Sequence, residues 1–293
     1  MSETIADILA SERVSFSFEV FPPKKQEGFA RMEETVAELC GLGPSFMSVT
    51  CGASGSRDTH TVDVAAFARS HGTVALAHQT CVTHSRADIE ANLARLRELG
   101  IRNVLALRGD LPPDGSAAPA ADHYAHASDL VRAIKAFDPS FCVGGACYPE
   151  CHPESRDSSD DLLHLREKVD AGLDFLTTQM FFDNALFYRF LWKAREAGIH
   201  VPIVAGIMPI TNGKQVERAR KLSGSYMPHR FMSIVDRFGG NPAAMEQAGV
   251  AYATDQIVDL LANGVRHIHL YTMNKPSVAR AILRNLSDIL PVA

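Results

Sequence analysis

The stretch LALRGDLPP, residues 105–113, decides the fold class of this chain. An apolar run from Val104 to Leu107 ends in Arg108, Gly109 and Asp110, and two prolines then prevent a strand from continuing. This pattern is typical of a buried β-strand with a cation, a flexible backbone point and a carboxylate at its carboxyl end. Because parallel β/α folds bind ligands at that end of their strands, the stretch predicts a ligand site on one rim.

The same pattern of a short apolar or β-branched run recurs along the chain. Eight strands are predicted at residues 14–20, 46–50, 73–80, 103–109, 141–148, 175–180, 202–208 and 267–272. Amphipathic helical patterns lie between them, at residues 28–43, 85–100, 127–137, 160–172, 184–198, 213–222 and 254–264. In the second of these, Ser85 is a predicted N-cap, Gly100 a predicted stop, and Ile89, Leu93, Leu96 and Leu99 form the apolar face.

Eight β-then-α repeats in 293 residues predict the α/β class and a (β/α)8 TIM barrel, which typically needs about 250 residues. The interval between strands 7 and 8 is longer than the others, so residues 223–245 predict an extra helical segment there. An open doubly wound sheet is the alternative, but its GxGxxG fingerprint is missing. DGSAAPAA (114–121) reads as a surface loop, and we expect a single domain over residues 1–293.

Composition narrows the class of protein. A net charge of −5 and a pI near 6.2 give no sign of nucleic-acid or membrane affinity. No apolar run approaches the ~20 residues that span a bilayer, and the start has no secretory signal, so we expect a cytoplasmic enzyme. The six cysteines form no CxxC pair. Cys147, Cys151 and His152 lie close in sequence, but structural zinc needs four well-spaced ligands, so we predict no metal.

Glu19 is the candidate general acid at the end of the first predicted strand. It is flanked in sequence by Phe18, Val20 and Phe21. An apolar setting favours the protonated form of a carboxyl group, which can then donate a proton near neutral pH. The alternatives are an ordinary acid in a half-polar strand and an ion pair with Lys24.

Polar side chains stand at most of the other predicted strand ends. They are Thr50 after strand 2, His78 in strand 3, Arg108 and Asp110 after strand 4, Tyr148 and His152 after strand 5, Gln179 after strand 6, and Lys275 after strand 8. Asp161, His164 and Lys168 follow at helical spacing and suit a nucleotide phosphate and ribose, with a solvated helix face as the alternative. The Gln179 amide suits the edge of a pterin or purine.

No GxSxG elbow, Walker loop, HExxH motif or paired-cysteine redox centre occurs in the sequence. Phosphoryl transfer and metalloprotease chemistry are therefore poorly supported. An acid, several side chains that can hydrogen-bond a heterocycle, and a phosphate site together suit a cofactor-dependent reaction.

Nine segments, in order, resemble the methylenetetrahydrofolate reductase family in its short bacterial form. They are FEVFPPK, MSVTCGA, AHQTC, LALRGDLPP, ACYPECHPES, DLLHLREKVDAG, TTQMFFD, GIMPITNGKQ and HLYTMNK, and the resemblance runs from about residue 14 to the end. It implies a barrel with non-covalent FAD. It also implies hydride transfer from NADH or NADPH through flavin N5 to 5,10-methylenetetrahydrofolate, giving 5-methyltetrahydrofolate, and by analogy a homo-oligomer.

The resemblance also implies roles for single residues. Glu19 matches the acid that assists opening of the imidazolidine ring to a 5-iminium cation, and Asp110 matches a carboxylate near flavin and pterin that stabilises this cation. The substrate-binding set is Glu19, Asp110, Gln179, Gln215 and Lys275. The FAD-binding set is Thr50, His78, Arg108, Gly109, Asp110, Ala127, Tyr148, His152, Ser155, Asp161, His164 and Lys168.

The chain departs from the family pattern at several positions. Lys275 stands where we expect an arginine for the folate carboxylates, so charge is kept and bidentate geometry is lost. Glu167 takes the place of a basic residue, and Ser155 and His164 are substitutions within the FAD set. Ala219 replaces a Phe that packs on the nicotinamide, a loss of roughly a kcal/mol or more of binding. These departures leave an alternative to the interconversion with NADH or NADPH, namely the same flavoenzyme running mainly as a 5-methyltetrahydrofolate oxidase with weak NADH use.

The sequence leaves open two alternative functions from other classes of protein. One is a flavin-free folate-dependent methyltransferase barrel, which would need a cobalamin partner or a zinc thiolate. The other is a non-catalytic folate-binding or FAD-storage protein, which would have no use for a proton donor at Glu19. Bound flavin and turnover separate the three.

Overall fold

Eight parallel strands close into a barrel in chain order, with the last strand paired to the first. The computed structural model describes residues 4–11, 13–23, 25–51, 60–110 and 118–290. The strands are β1 (Ser15–Val20), β2 (Met47–Val49), β3 (Ala75–Thr80), β4 (Asn103–Leu107), β5 (Cys142–Cys147), β6 (Phe175–Thr178), β7 (Ile203–Ile207) and β8 (His267–Tyr271). Each lies inside the stretch predicted for it, and the (β/α)8 barrel is confirmed.

Helix α1 precedes the first strand, and the other helices follow the strands on the outside of the barrel. They are α1 (Ile5–Ala10), α2 (Phe29–Cys40), α3 (Thr61–Ser70), α4 (Arg86–Glu98), α5 (Ala127–Phe137), α6 (Ser158–Asp170), α7 (Asn184–Glu196), α8 (Lys214–Ser223), α9 (His229–Phe238), α10 (Pro242–Ala262) and α11 (Pro276–Asn285). The extra helical segment expected at residues 223–245 is confirmed and holds α9 and the first turn of α10, while α8 is the helix predicted at 213–222. The helix expected at 254–264 is the second half of α10. Helices α1, α3 and α11 were not predicted.

Some predicted features lie outside the described residues. They are Lys24, most of the small-residue loop after Thr50 (52–56), Leu111 to Pro113, and residues 114–117 of the DGSAAPAA loop. Within the described part of the chain, no helix is both long and apolar enough to cross a membrane.

Helix α4 illustrates how local sequence sets the elements. The Ser85 hydroxyl accepts a hydrogen bond from the Asp88 backbone N–H at 3.1 Å, and the Asp88 carboxylate accepts one from the Ser85 N–H at 3.0 Å, which forms a capping box. Gly100 follows the helix with φ of 70°. Ile89, Leu93 and Leu96 are buried as predicted, but Leu99 is 38% exposed, because it is the C-cap and turns away from the barrel.

Side chains alternate along each strand between the helices and the barrel interior. At the amino ends of the strands the interior is apolar and consists of Phe46, Leu76, Leu105, Cys142, Phe175 and Val204, closed from below by Ile5 and Leu9 of α1. We call this set the lower interior. Gly144 is required there, because a Cβ at this position would overlap the Phe175 ring.

Helix α10 also depends on a glycine for its docking. A Cβ on Gly249 would overlap the Ile210 carbonyl oxygen, so α10 lies directly against the chain that leaves β7. This close approach fixes the base of the loop that leads to α8, and α8 lies at the same rim as the predicted site.

Candidate active site

Glu19 points into the barrel interior near its carboxyl rim and lies between two imidazoles. Its Oε2 is 3.6 Å from His78 Nε2 and 3.5 Å from His269 Nε2, and its side chain is 19% exposed. The expected apolar surroundings are wrong. Because side chains alternate along β1, Phe18 and Val20 face the helices and belong to the outer core, whereas Glu19 faces the polar interior.

Serine hydroxyls orient both imidazoles. Ser48 Oγ lies 2.6 Å from His78 Nε2, and Ser17 Oγ lies 2.8 Å from His269 Nδ1. Ser17 also donates its own proton to the Ile268 carbonyl at 3.2 Å, so it accepts from His269 Nδ1–H. This assignment, made from hydrogen-bond partners, leaves His269 Nε2 facing Glu19. A hydrogen bond between them then requires one proton, held by Glu19 or by His269.

His78 and Tyr271 complete this polar region in their neutral forms. Burial lowers the pKa of His78 to about 4, against a smaller opposing effect of Glu19. Burial also raises the pKa of Tyr271 well above its usual value, and its hydroxyl donates to the Thr178 carbonyl at 2.6 Å. We call Ser17, Glu19, Ser48, His78, His269 and Tyr271 the upper interior.

The chain after β4 follows the predicted arrangement. Gly109 has φ of 84°, and a Cβ there would lie 2.9 Å from Thr80 Cβ, so both conformation and space call for glycine. Arg108 Nη2 donates to Glu154 Oε1 at 2.7 Å in a two-pronged ion pair. This pair raises the pKa of Arg108. Burial, followed by the charge of Asp110, raises the pKa of Tyr148 to about 12.

Beside this region lies a cleft of about 290 Å³. Eight of the twelve predicted FAD residues line it: Arg108, Ala127, Tyr148, His152, Ser155, Asp161, His164 and Lys168. The other four, Thr50, His78, Gly109 and Asp110, are not among its lining residues and lie at the ends of β2, β3 and β4. The structure thus brings most of this set together from four separate segments of the chain.

Asp161 organises the loop between β5 and α6. Its Oδ2 accepts from the His152 backbone N–H, and its Oδ1 accepts from the Ser155 hydroxyl, each at 3.2 Å. His152 Nδ1 accepts from the Glu154 N–H at 3.1 Å, and the His152 ring packs edge-on against Tyr148 with centroids 4.7 Å apart. Burial lowers the pKa of His152, which favours a neutral ring.

The cleft fits a dinucleotide cofactor. Its lining holds two cations, Arg108 and Lys168, and three carboxylates, of which Glu154 is paired with Arg108. Ala127 begins α5, so the amino terminus of a helix faces the cleft, where phosphate binds well. The Lys168 ammonium donates to the Ala146 carbonyl at 2.6 Å, and burial lowers its pKa. Leu165 and Cys147 add an apolar wall for a flat ring system.

Two of the predicted substrate residues meet at a residue that the sequence did not single out. The Thr211 backbone N–H donates to Gln215 Oε1 at 3.0 Å, and Lys275 Nζ donates to the Thr211 hydroxyl at 2.9 Å. Gln179 lies across the rim, where its Oε1 accepts from the Met180 N–H at 3.0 Å and its side chain faces Tyr148.

Ala219 is 2% exposed and does not face the cleft. It belongs to an apolar cluster beneath α8 and α9 that includes Phe182, Phe231 and Tyr252. Phe182 and Phe231 stack with ring centroids 5.0 Å apart, so the aromatic packing of this region lies below the helix and not at position 219.

Several residues of the site were missed by reasoning from the sequence: Ser17, Ser48, Glu154, Thr211 and His269. A signal for two of them was present. Residues 15, 17 and 19 of β1 and residues 267, 269 and 271 of β8 are polar or titratable at every second position. That period predicts one polar face on each strand.

Comparisons with known proteins identify the family to which the chain is similar. The family model described as methylenetetrahydrofolate reductase matches residues 4–287. The 5,10-methylenetetrahydrofolate reductases of Pectobacterium carotovorum and Escherichia coli are each 34% identical over 98% of this chain and 94% of their own length. Methylenetetrahydrofolate reductase (NADH) 1 of Zea mays is 36% identical, and the chain spans about half of it (50%).

A solved structure shares the fold. It is an uncharacterized protein from Clostridium thermocellum that binds two copies of 5-methyl-5,6,7,8-tetrahydrofolic acid. It superposes with a TM-score of 0.67 at 15% identity over 96% of each chain, a likeness that concerns the fold alone. The family match and the nearly full-length bacterial relatives lead to one conclusion: this chain belongs to the methylenetetrahydrofolate reductase family.

Proposed function

We propose that this protein catalyses the FAD-dependent interconversion of 5,10-methylenetetrahydrofolate and 5-methyltetrahydrofolate, with NADH or NADPH as the other redox partner. The observation that supports it best is the position of Glu19, whose carboxylate lies 3.5 Å from His269 Nε2 at the barrel mouth, beside a cleft suited to a dinucleotide. A protein that only stores a cofactor has no need of such a proton donor. We further propose one catalytic domain over residues 1–293 in a cytoplasmic enzyme.

In this proposal the cleft holds FAD. Arg108, Lys168 and the amino terminus of α5 neutralise the phosphates, while Asp161 holds His152 and Ser155 in place. Gly109 gives the chain after β4 the left-handed turn that it needs beside Thr80 and so positions Arg108 and Asp110. When bound, FAD would supply a two-electron carrier that takes hydride from one substrate and gives it to the other.

Glu19 would act on the folate. It donates its proton to the amine nitrogen that leaves the one-carbon bridge as the imidazolidine ring opens. His269, held by Ser17, lies next to Glu19 and can return a proton to it. Asp110 is exposed at the rim, where its negative charge would stabilise the iminium cation.

The remaining substrate contacts are assigned by chemistry. Gln179 reads the pterin edge, and Lys275 pairs with a carboxylate of the folate tail. Lys275 is already bound to Thr211, so it is held at the rim before any ligand arrives. Gln215 is held by the same residue, because its Oε1 accepts a hydrogen bond from the Thr211 backbone N–H.

Ala219 favours a second candidate for the direction of the reaction. Its methyl group is buried and offers the cleft no ring on which a nicotinamide can stack. The second candidate is therefore the same flavoenzyme working mainly as a 5-methyltetrahydrofolate oxidase with weak NADH use. The relatives named as NADH enzymes favour the first candidate.

Anaerobic stopped-flow absorbance near ~450 nm, where oxidised flavins absorb, tests both candidates. The purified protein is mixed separately with NADH, NADPH and 5-methyltetrahydrofolate. Rapid bleaching by a nicotinamide supports the first candidate. Bleaching by 5-methyltetrahydrofolate alone supports the second. A protein that shows no flavin band even after FAD is added contradicts the proposal.

A further inference from the structure

The loop between β8 and α11 holds two neighbouring residues in the left-handed region. Met273 has φ of 52° and Asn274 has φ of 54°. The left-handed conformation is unfavourable for residues other than glycine, although asparagine tolerates it better than most. Two such residues in succession, next to the predicted site, call for a compensating interaction.

The Asn274 carboxamide supplies that interaction through two hydrogen bonds to Phe21. The Phe21 backbone N–H donates to Asn274 Oδ1 at 3.1 Å, and Asn274 Nδ2 donates to the Phe21 carbonyl at 2.9 Å. Two residues before Asn274, the buried Thr272 hydroxyl donates to the Glu19 carbonyl at 2.6 Å. The loop therefore holds the backbone of β1 at Glu19 and again two residues later.

The need for a side chain follows from the sequence of β1. The ladder between β1 and β8 runs as far as the pair Glu19 and Tyr271. β1 ends at Val20, and Phe21 then precedes Pro22 and Pro23, which have no N–H, so Phe21 is the last backbone donor before the two prolines. The Asn274 amide takes the place of one more peptide group of β8, while the left-handed turn directs the backbone into α11.

We propose that Asn274 is a positioning residue for Glu19. It fixes the carboxyl end of β1, so that only the Glu19 side chain remains to be placed by His78 and His269. This inference rests on the proposed function, because it assigns Glu19 the role of acid toward the folate. Asparagine suits the position because it tolerates the left-handed conformation and its amide both donates and accepts.

The test compares Asn274→Gly with Asn274→Ala. Glycine removes the amide but accepts the left-handed conformation freely, whereas alanine removes the amide and keeps the strain. Asn263→Gly is the matched control. Asn263 is the C-cap of α10, donates from Nδ2 to the Asp259 carbonyl at 2.8 Å, and precedes β8 at the opposite end of the barrel.

Two steps are measured in each variant by stopped flow. The first is flavin reduction by NADH or, where that is slow, by dithionite. The second is reoxidation of the reduced flavin by 5,10-methylenetetrahydrofolate. Both Asn274 variants should slow the second step by about 10- to 100-fold, because an acid displaced by a fraction of an ångström transfers its proton poorly. Flavin reduction should stay within about twofold of wild type, and Asn263→Gly should change neither rate.

A second readout does not depend on turnover. In the flavin-free protein, the ring proton resonances of His78 and His269 report the distance to Glu19. They should shift in both Asn274 variants and stay in place in Asn263→Gly.

The inference is overturned if Asn274→Gly reoxidises at the wild-type rate, or if both steps fall equally in the Asn274 variants. Unchanged resonances of His78 and His269 in those variants also overturn it. If the wild-type protein itself shows no flavin band or no reaction with the folate, the proposed function fails and the positioning role fails with it. An active wild type with unaffected Asn274 variants contradicts the inference alone.

Discussion

The lower and upper interior of the barrel differ in their chemistry and in the strands that supply them. The lower side chains come from β3 to β7 and the residue before β2, and the upper ones come from β1, β2, β3 and β8. Below, Phe46, Phe175 and their apolar neighbours pack on one another and are closed by α1, whose Ile5 N–H donates to the buried Asn103 Oδ1 at 2.9 Å. Above, Glu19, two histidines and two serines form a continuous polar group. The halves meet where the Phe46 ring stacks on His269 at a centroid distance of 6.1 Å. One barrel thus separates an apolar region that stabilises it from a polar region to which we assign the chemistry.

The interior changes from apolar to polar within a few residues along the paired strands β1 and β8, which we call the seam. In the register of β1 with β8, Ser15 is opposite His267, Ser17 is opposite His269, and Glu19 is opposite Tyr271. The first two pairs have the same chemistry, with Oγ to Nδ1 distances of 2.9 and 2.8 Å. Only the second pair adjoins Glu19, so position along the seam, and not residue type, decides the role of a serine–histidine pair.

The largest effect should come from Glu19→Gln in the upper half. Removing the proton donor should slow flavin reoxidation by the folate by about 10³-fold, because general acids contribute on the order of 10² to 10⁴. Flavin reduction should stay within a few-fold of wild type, and stability in urea should change by about 1 kcal/mol or less. Glu38→Gln, which affects an exposed ion pair with Arg280, is the matched control. A variant that keeps wild-type reoxidation would remove Glu19 from the mechanism.

Phe175→Ala in the lower half should give the reverse result. Truncating a fully buried ring should lower the free energy of unfolding by about 3–5 kcal/mol, measured by urea denaturation. The activity of the molecules that remain folded should stay within about twofold of wild type. Phe238→Ala, at a position 38% exposed, controls for loss of a ring at the surface. If Phe175→Ala instead lost activity and kept stability, the two halves would not be separate in function.

His78 should make stability depend on pH. Its pKa is lowered to about 4 in the folded protein from a usual value of 6.5, so the unfolded chain binds this proton first as pH falls. The contribution is complete above pH 6.5 and is lost between about pH 6.5 and 4, with a size on the order of 3 kcal/mol. His78→Gln should therefore lose less stability than wild type over this range. The exposed His71→Gln should follow the wild-type curve, and equal slopes for all three proteins would contradict the prediction.

The smallest effect should separate the two serine–histidine pairs. Ser17→Ala and Ser15→Ala each remove one hydrogen bond and should cost about 1 kcal/mol of stability. Ser17→Ala should also slow flavin reoxidation by the folate by about 3- to 10-fold, because His269 loses its orientation beside Glu19. Ser15→Ala should leave that rate unchanged. Equal rates in the two variants would show that distance along the seam has no functional consequence.

Much of the fold follows from periodicity alone. Each strand was located because a run of apolar residues ends in turn-forming residues. Helices α1 and α3 were missed for physical reasons: α1 has only six residues, and the β-branched Thr61, Val62 and Val64 at the start of α3 weaken its helical pattern. The docking of α10 depends on Gly249 fitting against Ile210, a contact that no local sequence pattern predicts.

The sequence predicts which residues stand at the end of each strand, but it does not predict which of them contact one another. Residues at strand ends can be read from the sequence, and eight of the FAD set do line one cleft. Their partners cannot be read in this way, because Glu19 and His269 are 250 residues apart and meet only when the barrel closes. Neighbours in sequence suggested an apolar setting for Glu19, whereas its neighbours in space are imidazoles.

The seam between β1 and β8 also has a consequence for how the protein is made. Ser15 and His267 are 252 residues apart, and chains are synthesised at about 5–20 residues per second, so β1 leaves the ribosome about 10–50 s before its partner strand exists. During that time one edge of β1, with Glu19 on it, has no strand to pair with. Enzymatic activity can arise only after the last strand has closed the barrel. The rate at which activity returns during refolding therefore measures the rate of this final pairing of β8 with β1.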